Sequence, residues 1–150
     1  MVVEVRQHFD AAPADVFALL HDVERMAGLG PEHERAAWVS PTLFTGWNRA
    51  GERAWETPCH VTVDQPPLAF AWTVGTPGKQ SSTWSYELEP DGDGTVVVQR
   101  FQHGPGASGL RDAVERSPER AEDYMTRRGD RLRENMGIVL GRAAELLRQG

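Results

Sequence analysis

Four polar side chains on predicted β-strands have the chemistry to hydrogen-bond a carbonyl or hydroxyl group of a bound molecule: Asn48, Tyr86, Gln99 and His103. Histidine can also move a proton near neutral pH, because its ordinary pKa lies there. Tyr86, His103 and Asn48 are therefore weak candidates for catalysis by proton transfer and substrate positioning. Each of them also has a structural interpretation, as a buried group that hydrogen-bonds a neighbour.

No other catalytic or metal-binding arrangement is indicated by the sequence. The motif G-x-S-x-G is absent, and Cys59 lies in the middle of a predicted strand as a small buried residue. The five histidines lack the spacing of metal ligands, so we expect no metal and no cofactor. The Gly-Asp-Gly at 92–94 is typical of a hairpin turn, and the glycine-rich stretch 103–109 is interpreted as a hinge.

The charge and composition of the chain exclude several classes of protein. Its 150 residues suit one domain spanning 1–150, and the net charge of -6 argues against a nucleic-acid binder. Acidic residues are interspersed among Arg127, Arg128, Arg131 and Arg133, which predicts a solvated helix face. No signal peptide or membrane span is indicated, so we expect a cytoplasmic protein, either a monomer or a homodimer.

The elements that must position these side chains follow from hydrophobic periodicity and turn residues. A strand at the N-terminus and two short helical segments precede six strands, and a helix of roughly thirty residues begins near Ser117-Pro118. A short helix at 108–118 is a further candidate. We expect an α+β fold in which the antiparallel sheet curls and the long helix lies across its concave side. The six later strands are predicted at 35–40, 42–51, 53–64, 68–74, 82–89 and 95–103.

Alternation along the strands predicts which side chains face the long helix. Val63 and Leu68 are assigned to this face and Asp64 to the opposite one, while Val97, Gln99 and Phe101 point inward because the alternative would bury Arg100. Aliphatic members gather at one end of the face, and aromatic and polar members at the other. Either the aromatic end is packed core, or it borders a ligand cavity. The predicted cavity residues are Asn48, Trp55, Phe70, Trp72, Trp84, Tyr86, Gln99, Phe101 and His103 on strands, and Met125, Leu132 and Met136 on the helix.

Three stretches carry a family resemblance that spans nearly the whole chain. They are FDAAPADVFALLHDVERM, FTGWNRAGERAWETPCHVTVDQPPLAFAW and STWSYELEPDGDGTVVVQRF. Together with the order of elements, they resemble the helix-grip fold of the START-like (SRPBCC) superfamily, and most nearly its bacterial polyketide cyclase/dehydrase subgroup.

The resemblance implies a deep hydrophobic cavity that binds, and possibly transports, a polyketide, a lipid or an aromatic compound. Trp47, Trp55, Trp72, Trp84 and Tyr86 would suit a flat ligand better than a flexible acyl chain. An alternative is an aromatase-type cyclase/dehydrase in the same cavity, since aldol closure and dehydration need a stabilised enol and a proton transfer. A third possibility is a protein-interaction module, as in relatives that serve as chaperone cofactors.

Overall fold

The computed structural model of the chain describes residues 1–104, 106 and 108–149. A seven-stranded antiparallel sheet faces one long helix, α4, with three shorter helices, α1 to α3, and a 3₁₀ turn at Pro118–Arg120. The predicted α+β helix-grip architecture is therefore confirmed. The elements are β1 (Val2–Phe9), α1 (Pro13–His21), α2 (Val23–Ala27), β2 (His33–Ser40), β3 (Leu43–Ala50), β4 (Arg53–Gln65), β5 (Ala69–Thr76), β6 (Lys79–Asp91), β7 (Gly94–His103), α3 (Gly109–Arg116) and α4 (Ala121–Gln149).

The strands pair in the order β1-β7-β6-β5-β4-β3-β2, so every neighbour except the β1–β7 pair is a hairpin neighbour in sequence. Tight turns explain this meander. Between β6 and β7, Gly92 has a φ of 61°, the left-handed conformation that a two-residue hairpin requires at this position. Two residues of the stretch interpreted as a hinge, Pro105 and Ala107, lie outside the described part of the chain.

Local capping fixes where the short helices begin. Pro13 occupies the first turn of α1, where its missing N–H is harmless. The Asp22 side chain accepts from the Arg25 N–H at the start of α2, and Ser108 accepts from the Arg111 N–H at the start of α3.

The core is concentrated at one end of the concave face. There the C-terminal half of α4 packs with α1 and the sheet through fully buried Leu140, Phe9 and Val97. A smaller cluster joins Val3 and Phe101 to the middle of α4. The interior is therefore asymmetric, because only part of α4 is buried against the sheet. The predicted segregation of aliphatic from aromatic side chains is incomplete, since Phe70 and Tyr86 belong to the same core as Leu88 and Val97.

The predicted positions of Val63, Asp64 and Leu68 on the sheet were wrong. The β4–β5 register shifts between Val61 and Val63, so that Val63 stands opposite Ala71 and Asp64 opposite Phe70. One extra residue in a strand moves every later side chain to the other face, which brings Asp64 inward and Val63 outward. Leu68 lies in the turn before β5 and is exposed.

Gly129, Gly137 and Gly141 interrupt α4, and glycine in a helix can allow close packing against the sheet, a bend, or room for a bulky neighbour. A Cβ at Gly129 would meet only the Met1 sulfur, at 3.4 Å, and one at Gly137 or Gly141 would meet nothing within 4 Å. Close packing against the sheet therefore does not explain Gly137 and Gly141, whereas Gly129 is buried beside Met1. None of the three lines the cavity described below.

Candidate functional site

A cavity of about 600 Å³ lies between the concave face of the sheet and the N-terminal half of α4. Protein interiors ordinarily leave few voids larger than a water molecule, so a space of this size is a structural feature in its own right. The structure brings eleven of the twelve predicted residues together around it. They are Asn48, Trp55, Phe70, Trp72, Trp84, Tyr86, Gln99, Phe101, His103, Leu132 and Met136.

Two residues named from the sequence lie elsewhere. Met125 is 41% exposed on α4 and does not line the cavity. Trp47 stands opposite Glu56 in the β3–β4 register, while the neighbouring pair Asn48 and Trp55 faces the cavity. Alternation therefore places Trp47 on the convex face, where the Arg35 guanidinium lies 4.1 Å from its ring.

Trp72 and Trp84 form a flat aromatic wall. They are direct partners across β5 and β6, and their rings are within 6° of parallel with centroids 6.4 Å apart. Phe101 packs edge-on against Trp84 with centroids 4.8 Å apart. The Trp84 indole N–H donates to Ser82 Oγ at 3.1 Å, which restricts rotation of the ring. The wall is thus held by packing on one side and by a hydrogen bond on the other.

Tyr86 and Gln99 form a buried polar pair on this wall, because they are direct partners across β6 and β7. Burial raises the pKa of Tyr86 far above its ordinary value, so the phenol remains protonated and can donate. Gln99 is 5% exposed, and its Oε1 has no hydrogen-bond partner among the described residues. An unsatisfied buried amide oxygen destabilises a fold by about 1–3 kcal/mol, so this site has a hydrogen-bonding capacity that the chain leaves unused.

Asn48 is satisfied by its own neighbours. His33 Nδ1 donates to Asn48 Oδ1 at 2.9 Å, and Asn48 Nδ2 donates to Thr57 Oγ1 at 3.4 Å. Both ends of the buried amide are therefore paired, which favours the structural interpretation of this residue.

His103 lies at the end of β7 with its Nε2 3.0 Å from Ser108 Oγ. Burial lowers the pKa of His103, and the positive charges of Arg111 and Arg128 lower it further. The imidazole is consequently neutral at pH 7, as a general base must be. Ser108 was not predicted as a cavity residue, although it is the residue that caps α3.

The charged rim of the cavity was missed. Arg128 and Arg131 of α4 line it, and both lie near Glu32 of the loop before β2. A solvated helix face therefore describes Arg127, Arg131 and Arg133, whose side chains are exposed, but not Arg128, which is partly buried. Helical spacing could have placed Arg128 at the cavity, because Arg128, Leu132 and Met136 recur every four residues and share one face.

Cys59 provides a test of how its side of the cavity is solvated. Burial raises the pKa of its thiol to about 11. The thiolate fraction at pH 8 should then be about two orders of magnitude below that of an ordinary cysteine, for which the pKa is about 8.5. We expect iodoacetamide to alkylate the native protein at pH 8 about a hundredfold more slowly than the urea-unfolded chain, as measured by intact mass. Rates within tenfold of each other would contradict this.

Within residues 1–104, 106 and 108–149, no group of three or more His, Cys, Asp or Glu side chains is placed to hold a metal ion. Of the helices in the same ranges, none is both long enough and apolar enough to cross a membrane.

Comparison with known protein families finds one whose model matches most of the chain. Residues 1–137 match the family model for polyketide cyclase/dehydrase and lipid transport proteins. No curated protein matches the chain.

Solved structures show the same fold. The chain is similar to the polyketide-cyclase-like protein Cgl2372 of Corynebacterium glutamicum, with 25% identity, 98% of this chain and 91% of that chain covered, and a TM-score of 0.70. It is similar to NE0264 of Nitrosomonas europaea, with 14% identity, coverage of 99% and 95%, and a TM-score of 0.72. A further similar structure is the di-domain ARO/CYC StfQ from the steffimycin biosynthetic pathway, with 17% identity, coverage of 96% and 49%, and a TM-score of 0.67.

Proposed function

The chain belongs to the polyketide cyclase/dehydrase and lipid transport family, and on that premise we propose that it binds a hydrophobic small molecule between the sheet and α4. The observation that carries the proposal is the cavity of about 600 Å³ lined by aromatic side chains. Ligand sites typically enclose about 300–1,000 Å³, mostly apolar with a few polar groups. The size and the lining of this cavity both agree with that description.

The wall chemistry favours a flat ligand with one buried polar group. Trp72 and Trp84 present nearly parallel indole rings, on which a planar molecule can stack over a large area. Gln99 lines the cavity and its buried Oε1 lacks a donor, so a turn of the amide toward a ligand hydroxyl would satisfy the unpaired oxygen. A plain alkyl chain would leave both features unused.

Titration with a neutral fluorescent probe tests the proposal directly. N-phenyl-1-naphthylamine fluoresces strongly only in apolar surroundings, and we expect it to bind with a stoichiometry of one. Native mass spectrometry of freshly purified protein should in parallel show a retained lipophile or, after extraction, one probe per chain. Absence of saturable probe binding together with an unloaded mass spectrum would contradict the proposed function.

A second candidate function is a cyclase/dehydrase activity in the same cavity. It is favoured by the neutral His103 and the protonated Tyr86, which could move a proton and hydrogen-bond a substrate carbonyl. Incubation with a poly-β-ketone substrate separates the two functions. Turnover that Tyr86→Phe or His103→Ala abolishes would support the enzyme, whereas binding without turnover would support the binding protein.

The protein-interaction alternative has less support. The large hydrophobic side chains that stand exposed include Val2, Val39, Leu68 and Met125, which lie on β1, β2, the β4–β5 turn and α4. An interaction surface typically gathers such side chains into one patch.

A further inference from the structure

We infer that the ligand carries a carboxylate group, which Arg128 and Arg131 bind at the rim of the cavity in place of the Glu32 side chain. The inference rests on the proposed binding function and adds the chemical class of the ligand, an aromatic or otherwise apolar body joined to a carboxylate.

The two arginines are neighbours on the cavity side of α4. They are three residues apart, so their side chains emerge on the same face about one turn from each other. Both line the cavity together with Leu132, and both approach the same oxygen of Glu32. Glu32 Oε1 lies 3.1 Å from Arg131 Nη2 and 3.9 Å from Arg128 Nη1.

Glu32 pairs with these arginines incompletely. The longer of the two distances is beyond hydrogen-bonding range, and both involve only one carboxylate oxygen. A guanidinium presents five N–H donors in a planar fork that matches both oxygens of a carboxylate. Within the described ranges, the Arg128 guanidinium donates no hydrogen bond. Burial lowers the pKa of this residue. Arg128 is thus a partly buried cation, 36% exposed, whose donors are left open by the described residues.

The local charge opposes the charge of the whole chain. The arginines Arg53, Arg128 and Arg131 and one glutamate, Glu32, line the cavity, a formal charge of 3 − 1 = +2, whereas the complete chain has a net charge of -6. Arg35 also borders the cavity, but its guanidinium lies over the Trp47 ring on the convex face. A positive field inside an apolar cleft of an acidic protein raises the local concentration of anions. The neutral His103 does not compete for the ligand's negative charge.

Glu32 itself indicates a carboxylate rather than another anion. Its side chain is only 15% exposed, and it can leave the arginines by rotating about its own bonds while its backbone carbonyl keeps the hydrogen bond from the Arg49 N–H. A ligand carboxylate would replace one carboxylate by another of the same charge and shape. The apolar body of the ligand would then extend from the arginines toward Trp72 and Trp84.

The experiment compares pyrene-1-butyric acid with its methyl ester. The two probes share the flat apolar body and differ in the charge, and binding of either is followed by energy transfer from tryptophan to pyrene. We expect wild-type protein to bind the acid more tightly than the ester. Arg128→Gln and Arg131→Gln should each weaken binding of the acid by about ten- to a hundredfold and leave binding of the ester within threefold.

Two further variants complete the design. Arg127→Gln removes an exposed arginine of the same helix and should change neither affinity. Glu32→Gln removes the internal competitor and should strengthen binding of the acid selectively. Equal affinity for acid and ester in the wild-type protein would overturn the inference while leaving the proposed function intact. Failure of both probes to bind would contradict both. If the Arg128 and Arg131 variants lost binding of the ester while the Arg127 variant kept it, these two residues would have a structural role. That result would also overturn the inference.

Discussion

Replacement of Phe70 by alanine is expected to lower the free energy of unfolding by about 3–5 kcal/mol, the largest effect of any substitution considered for this chain. Phe70 is 0% exposed near the start of β5. Its ring packs with five aromatic neighbours, four from three other elements and one from its own strand: Phe17, His21, Trp38, Phe44 and Trp72. Truncation removes these contacts from a single point that joins α1 to the sheet.

Urea unfolding followed by far-UV circular dichroism measures this change. Phe70→Leu keeps most of the side-chain volume and serves as the matched variant, for which we expect a clearly smaller loss. Val39→Ala, at an exposed position on β2, should change the free energy of unfolding by less than about 0.5 kcal/mol. A loss below about 1 kcal/mol for Phe70→Ala would show that the neighbouring cavity absorbs the missing ring, and would contradict the role assigned to it.

The second large effect concerns the cavity wall. Trp84→Ala is expected to weaken binding of N-phenyl-1-naphthylamine by about thirtyfold, which corresponds to about 2 kcal/mol. The substitution removes one of the two parallel rings and exposes the edge-on Phe101 behind it. Since the Trp84 ring is only partly buried, the accompanying loss of stability should be smaller than for Phe70→Ala.

Trp47→Ala is the matched control for this experiment, because it deletes the same side chain from the convex face of the same sheet. We expect it to leave probe affinity within threefold of the wild-type value. Equal losses for the two tryptophan variants would mean that the probe responds to general loosening of the sheet, and the wall would then have no particular role in binding.

The two predictions are linked because the two halves of α4 have different roles. Its C-terminal half is buried through Leu140 and Ala143 and contributes stability. Its N-terminal half faces the cavity with Arg128, Arg131 and Leu132 and would contribute recognition. Substitutions in the two halves should therefore separate stability from binding.

The strands, the turns and the long helix could be predicted from the sequence because they depend on local interactions. Period-two alternation identified Trp84, Tyr86, Gln99 and Phe101 as one face, and β6–β7 pairing keeps them together. A polar or bulky residue on the wrong face would meet the core, so the hydrophobic pattern specifies the phase of each strand strongly.

Other features depended on contacts between distant parts of the chain. The register shift between Val61 and Val63 exchanged the faces of Val63 and Asp64, and strand alternation alone contains no signal for it. The charged rim arises because Glu32, on a loop, meets Arg128 and Arg131, on a helix near the other end of the chain. The amino-acid sequence thus determined which side chains share a face, because neighbours along the backbone set that periodicity. Only the tertiary structure decided that this face borders an open cavity with a positive rim. The cavity exists because the curvature of the sheet keeps the concave face at a distance from α4.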